Sequence, residues 1–144
     1  MSAEYSYVPV QTVAEDENIL FLDGERACRK GFIKHRDTSG VFHLKGANNT
    51  CKTIYRVTFD ANIAVSATGG TAGPISVALQ EDGETLGNAI ATVTPAAVGE
   101  FNNVSISTFI VVEHGCCKRV SFKNVSDGTA IDVTNANVIF DRIA

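Results

Sequence analysis

The sequence has no tryptophan, one methionine and three prolines among 144 residues. Without tryptophan the best platform for stacking on sugar rings is missing, and eight phenylalanines and three tyrosines remain to build an aromatic core. Positive charge is sparse as well. Twelve Lys and Arg stand against sixteen Asp and Glu, giving a formal charge of −4, and no basic run exceeds a dipeptide. That distribution argues against nucleic-acid binding through phosphate neutralisation. No segment approaches the roughly 20 apolar residues of a membrane-spanning helix. The opening MSAEYSYVPVQTVAEDENILF carries acids where an export signal needs a positive region, and it lacks a continuous apolar core. The expectation is synthesis and folding in the cytoplasm, with cell lysis as a route out that needs no signal.

Helical periodicity is also missing, since no window places apolar residues at spacings of three and four. Period two is there instead. In Thr53 to Val65, Tyr55, Val57, Phe59, Ala61, Ile63 and Val65 alternate with Arg56, Thr58, Asp60, Asn62 and Ala64, which is the pattern of a long half-buried β-strand. Ile75, Val77 and Leu79, Val104 and Ile106, and Val120 and Phe122 repeat it. About nine strand candidates emerge, separated by turn residues. The apolar run Ile19 to Leu22 ends at Asp23-Gly24, and Gly31 to His35 pairs with Val41 to Lys45 across Asp37-Thr38-Ser39-Gly40. Ile75 to Gln80 turns at Asp82-Gly83 into Leu86 to Val93. Asn102 to Val112, Lys118 to Val125 and Ala130 to Ile143 complete the series. At this length the strands form one all-β sandwich or barrel, preceded by an extended lead-in over residues 1–14, with the domain itself at 15–144.

The residues that usually carry chemistry are scattered. Cys28 and Cys51 flank a hairpin that could bring them together, whereas Cys116 and Cys117 are adjacent; filling gaps as small apolar residues is the reading that fits a reducing site of synthesis. His35, His43 and His114 are dispersed, and the paired short spacings of a zinc site are absent, so no metal or other cofactor is expected. Glu81, Asp82 and Glu84 fall in one turn rather than across a cleft. His114 next to Cys116 matches no recognised dyad. The loop Thr68 to Pro74 is glycine-rich, yet no Lys-Ser/Thr closes it and a strand follows, so it is no phosphate cradle. Catalysis is not expected.

Two strands depart from simple alternation. In Val104 to Val112 the face that starts with Ser105 and Ser107 turns apolar at Phe109 and Val111. In the last strand Ile131 and Val133 give way across Thr134-Asn135 to Ala136, Val138 and Phe140, leaving Ile139 and Ile143 on the opposite side. A bulge and a seam between subunits each account for such a slip.

The C-terminal VSFKNVSDGTAIDVTNANVIFDRIA resembles the closing hairpin of small C1q/TNF-like jelly-roll domains, as found in tailed-phage virion proteins and at the ends of bacterial collagen-like surface proteins. YSYVPVQTVAEDENILF and TAGPISVALQEDGETLGNAIATVTPAA are similar to segments of phage head-fibre or capsid-decoration proteins. The resemblance implies an antiparallel jelly-roll β-sandwich of about eight to nine strands, assembled as a homotrimer around an apolar threefold axis. Phe109, Val111, Ile139 and Ile143 are then the candidate trimer contacts. Gly-X-Y repeats are absent, which favours the virion over the surface-fibre setting. The implied function is structural: decoration of a phage capsid, with the major capsid protein or another virion protein as partner, and the aromatic and apolar strip Tyr5, Tyr7, Val8 and Val10 as the docking segment. The second reading is an adhesion module for a host-surface glycan, using loop amides such as Asn102 and Asn103.

Overall fold

A computed structural model describes residues 2–24, 31–47, 51–114 and 117–143. Ten strands form among them: β1 (Ser2–Tyr7), β2 (Gln11–Val13), β3 (Ile33–His35), β4 (Val41–Lys45), β5 (Lys52–Val65), β6 (Ile75–Glu81), β7 (Glu84–Val93), β8 (Asn102–Glu113), β9 (Cys117–Asn124) and β10 (Ile131–Arg142). One sheet runs β1-β10-β5-β8 with β2 also on β10, the other β3-β4-β9-β6-β7, and every pairing is antiparallel. This is the expected all-β jelly-roll sandwich. Its strand count exceeds the expected eight to nine because residues assigned to a lead-in contribute β1 and β2.

The alternation in β5 settles as read except at Ala64, which is buried rather than outward. Tyr55, Val57, Phe59, Ala61, Ile63 and Val65 are buried, while Arg56 is exposed and Ile54, Thr58, Asp60 and Asn62 are half-buried on the other face. Aromatic side chains bridge the two sheets. Phe59 of β5 stacks on Phe122 of β9 at 4.5 Å, and Phe42 of β4 meets Phe140 of β10 at 4.8 Å and Tyr5 of β1 at 4.9 Å. Such pairs add about 0.5–1.5 kcal/mol each beyond the area they bury.

The apolar run Ile19 to Leu22 forms no strand among the ten. It crosses one end of the sandwich on isolated bridges, with Ile19 N–H donating to Phe122 O, Phe21 N–H to Ser39 O and Leu22 N–H to Ser6 O. Ile19 and Phe21 are buried and plug the gap between the sheets. The β6–β7 hairpin turns on Asp82 and Gly83, whose φ values of 52° and 87° are both left-handed, as a two-residue turn matching strand twist requires.

In β10 the register against β5 shifts between Thr134 and Asn137, with Asn135 at φ 54°. The alternation slip in the sequence is therefore a β-bulge. Its purpose is visible in its partners: Asn135 N–H and Thr134 Oγ1–H both donate to Val8 O, in the break where β1 gives way to β2.

Candidate functional site

The outward face of the first sheet holds the most distinctive surface. β8, β5 and β10 lie side by side, and their register sets Val111 beside Ile54, Phe109 beside Arg56, and Ile139 beside Thr58. Ile143 N–H donates to Ile54 O, which brings the end of the chain onto the same corner. Phe109 is 57% exposed, Ile143 43% and Ile139 36%, with Val111 and Ile54 half-buried. All four candidate contacts, Phe109, Val111, Ile139 and Ile143, thus belong to one sheet face, and the structure adds Ile54 at its centre. Sequence reasoning missed Ile54 because it sits on the polar side of the β5 alternation. The Arg56 guanidinium lies 5.8 Å from the Phe109 ring centroid, a cation–π arrangement on the patch.

The other half of this face is an amide ladder. Asn103 Nδ2–H donates to Asn62 Oδ1 at 3.2 Å and to Ala61 O, and Asn62 Nδ2–H donates to Asn135 Oδ1 at 3.4 Å. One face therefore offers an apolar end and a hydrogen-bonding end.

The expected docking strip divides. Tyr5 is 1% exposed, packed edge-on against Phe42 and Phe140, and is no outward contact. Tyr7 is half-buried against the core. Val8 and Val10, at 60% and 56% exposure, flank Pro9 between β1 and β2 and remain on the surface. The physical reason is pairing: β1 is hydrogen-bonded to β10 from Ser2↔Asp141 to Tyr7↔Ala136, so alternate residues Ala3, Tyr5 and Tyr7 turn inward.

Among the described histidines, His35 is the most fully engaged. His35 Nδ1 lies 2.5 Å from Asp23 Oδ1 and its Nε2 lies 2.7 Å from Ser39 O, while Phe42 stacks on the ring at 4.4 Å. Both ring nitrogens are engaged, leaving neither for a metal or a substrate proton. Among the described residues no three His, Cys, Asp or Glu side chains converge as metal ligands. Cys51 is a free, exposed thiol; Cys28 and Cys116 lie outside the described residues. Glu81 pairs with Lys118, and Asp82 accepts from Arg119 N–H at 2.9 Å, so two of the three acids of this turn tie the hairpin to β9. No helix among the described residues is long and apolar enough to cross a membrane.

No protein-family model matches the sequence, and no curated protein matches it either. Solved structures do. The chain is similar to the Eiger TNF of S. frugiperda, with a TM-score of 0.74 at 13% identity over 100% of this chain and 92% of that one. Murine APRIL gives 0.67 at 11% identity over 99% and 100%, and the globular domain of the zebrafish complement 1qA protein gives 0.63 at 10% over 99% and 95%. At such identities the likeness defines the fold, a TNF/C1q-type jelly roll.

Proposed function

We infer that the protein is a non-catalytic assembly module that self-associates as a homotrimer through the outward face of its first sheet. The observation that carries this reading is the convergence of Phe109, Val111, Ile139, Ile143 and Ile54 on three adjacent strands. Exposed apolar side chains gathered on one sheet face, here interspersed with Arg56, Thr58 and Asp141, mark an interaction surface. The jelly-roll resemblance implies a threefold arrangement of such patches, and the amide ladder beside it supplies hydrogen bonds that fix register between copies. The wider setting, decoration of a phage capsid, is supported by the sequence resemblance alone. It suits a trimer, whose several weak contacts with a shell add into slow dissociation.

Light scattering coupled to size exclusion tests the assembly. The expected mass is three subunits, unchanged by reductant, with Phe109→Asp combined with Ile139→Asp giving a folded monomer. A monomeric parent chain overturns the reading. Binding of the trimer to undecorated capsids, with Val8→Ser combined with Val10→Ser weakening it, tests the setting separately.

A further inference from the structure

The second sheet turns a basic face outward on a molecule that is acidic overall. Register places Lys34 of β3 opposite His43 of β4, and His43 opposite Arg119 of β9; all three side chains are exposed. At about 4.8 Å per strand, the ends of this row are roughly 10 Å apart at the backbone. Lys34 and Arg119 thus carry like charge on either side of His43, with no acid between them in the register. The acid beside it, Asp82, reaches Arg119 Nε only at 4.0 Å.

Two depressions open on this face and share Val41 as a common wall. One, of about 700 Å³, is lined by Lys34, Arg36, His35 and His43 among others; the second, of about 180 Å³, is lined by Arg119, Lys123, Ser121, Gln80 and Asn18. No Asp or Glu is among the described residues that line either one. Together they make a shallow groove across β3, β4 and β9 to β6, with Lys34 and Arg36 at one end and Arg119 and Lys123 at the other. Asn18 Oδ1 is buried there without a protein partner.

We propose that this groove binds an acidic polysaccharide, with Lys34, Arg36, Arg119 and Lys123 meeting its carboxylate or sulfate groups and Ser121 and Asn18 its hydroxyls. Charge complementarity selects a polyanion. The walls select its kind. Among the described residues neither depression is lined by Phe, Tyr or Trp, which offers unstacked nucleic-acid bases no platform there. Among the described residues the face is a sheet surface with no helix or ribbon protruding to enter a duplex groove. The apolar lining is confined to the half-buried Val41 and the buried Ile33, which leaves nothing to insert into a bilayer. A flexible chain with spaced anionic groups and many hydroxyls matches separated cations set around neutral polar side chains. The groove is on the opposite sheet from the apolar patch, so the assignment stands independently of trimer formation.

The test uses the full chain on immobilised heparin, a sulfated polysaccharide, with neutral dextran as control. Retention at physiological ionic strength, lost as salt rises, is expected on heparin and not on dextran. Lys34→Glu combined with Arg119→Glu weakens heparin binding by about tenfold or more, with the circular dichroism spectrum and solution mass unchanged. Lys52→Glu combined with Arg142→Glu on the first sheet makes the same change in net charge and leaves binding as in the parent. Three results overturn the proposal: no retention of the parent, equal loss in both double variants, or displacement from heparin by single-stranded DNA or anionic vesicles as effective as by free heparin.

Discussion

Asn124 shows how much structure one buried polar side chain organises. It is fully buried at the end of β9, its Nδ2 donates to Val13 O and Thr129 O at 3.0 Å each, and its Oδ1 accepts from Ser126 N–H at 2.9 Å. Its backbone joins the same knot, exchanging hydrogen bonds with Asp16 and Glu17. The Ser-Asp-Gly turn into β10 is thereby tied to the segment leaving β2. Asn124→Ala strands two carbonyls and one N–H in the interior, and an equilibrium urea titration should show a loss of about 3 kcal/mol. Phe122→Ala, which empties the stack on Phe59 and the contact with Phe21, should cost about 3–5 kcal/mol in the same measurement.

Among the elements, β10 is the most informative, because its bulge reconciles two partners. Three steps along β10, from Thr134 to Asn137, oppose two steps of β5, from Asn62 to Asp60. The inward set passes from Val133 to Ala136 without leaving the core, and the extra residue turns toward Val8. Asn135 tolerates its left-handed φ through its short amide side chain. Asn135→Val should lower stability by about 1–2 kcal/mol, whereas Asn135→Gly should stay within about 0.5 kcal/mol of the parent; thermal denaturation distinguishes the two. The slip itself was legible in the sequence, but not its cause, since Val8 and Asn135 are remote in the chain. β5 was legible almost to the residue because Tyr55 to Ile63 keep one period without a break, with Ile54 and Ala64 the apolar exceptions at either end. β1 was legible in principle, as Ala3, Tyr5 and Tyr7 alternate with Ser2, Glu4 and Ser6. Three inward positions beside Pro9 carry too little signal to separate an edge strand from an extended lead-in.

At the scale of the whole molecule, the two sheets present opposed outer surfaces, one apolar and amide-bearing, one basic. The first could be read from the sequence, because the strands that build it are long and their outward residues are conspicuous as Phe109 and Ile139. The second could not. Lys34 and His43 share the hairpin read from the sequence, but Arg119 is remote in the chain, and only the β4-β9 pairing sets it in their row. Residues 2–13 have a similarly altered meaning. Removing them strips Ala3, Tyr5 and Val13 from the core and exposes one edge of β10, so the truncated chain should lose its cooperative thermal transition. Capsid attachment is therefore better examined with Val8→Ser and Val10→Ser, which should leave the melting temperature within about 2 °C of the parent because surface substitutions rarely cost more than 0.5 kcal/mol.

The position of β10 between β1 and β5 has a kinetic consequence. The central strand of the first sheet is drawn from residues 131–142, and it must meet a partner from residues 2–7. Nearly the full chain has to loop back before that sheet exists, and topologies dominated by such distant pairings fold in milliseconds to seconds rather than microseconds. Until β10 is available, β1 and β5 each lack their shared neighbour, and Tyr5, Val57 and Phe59 face water beside an unpaired edge. The first sheet thus cannot close before β10 is available, and the chain is most open to misassociation with its own copies until then.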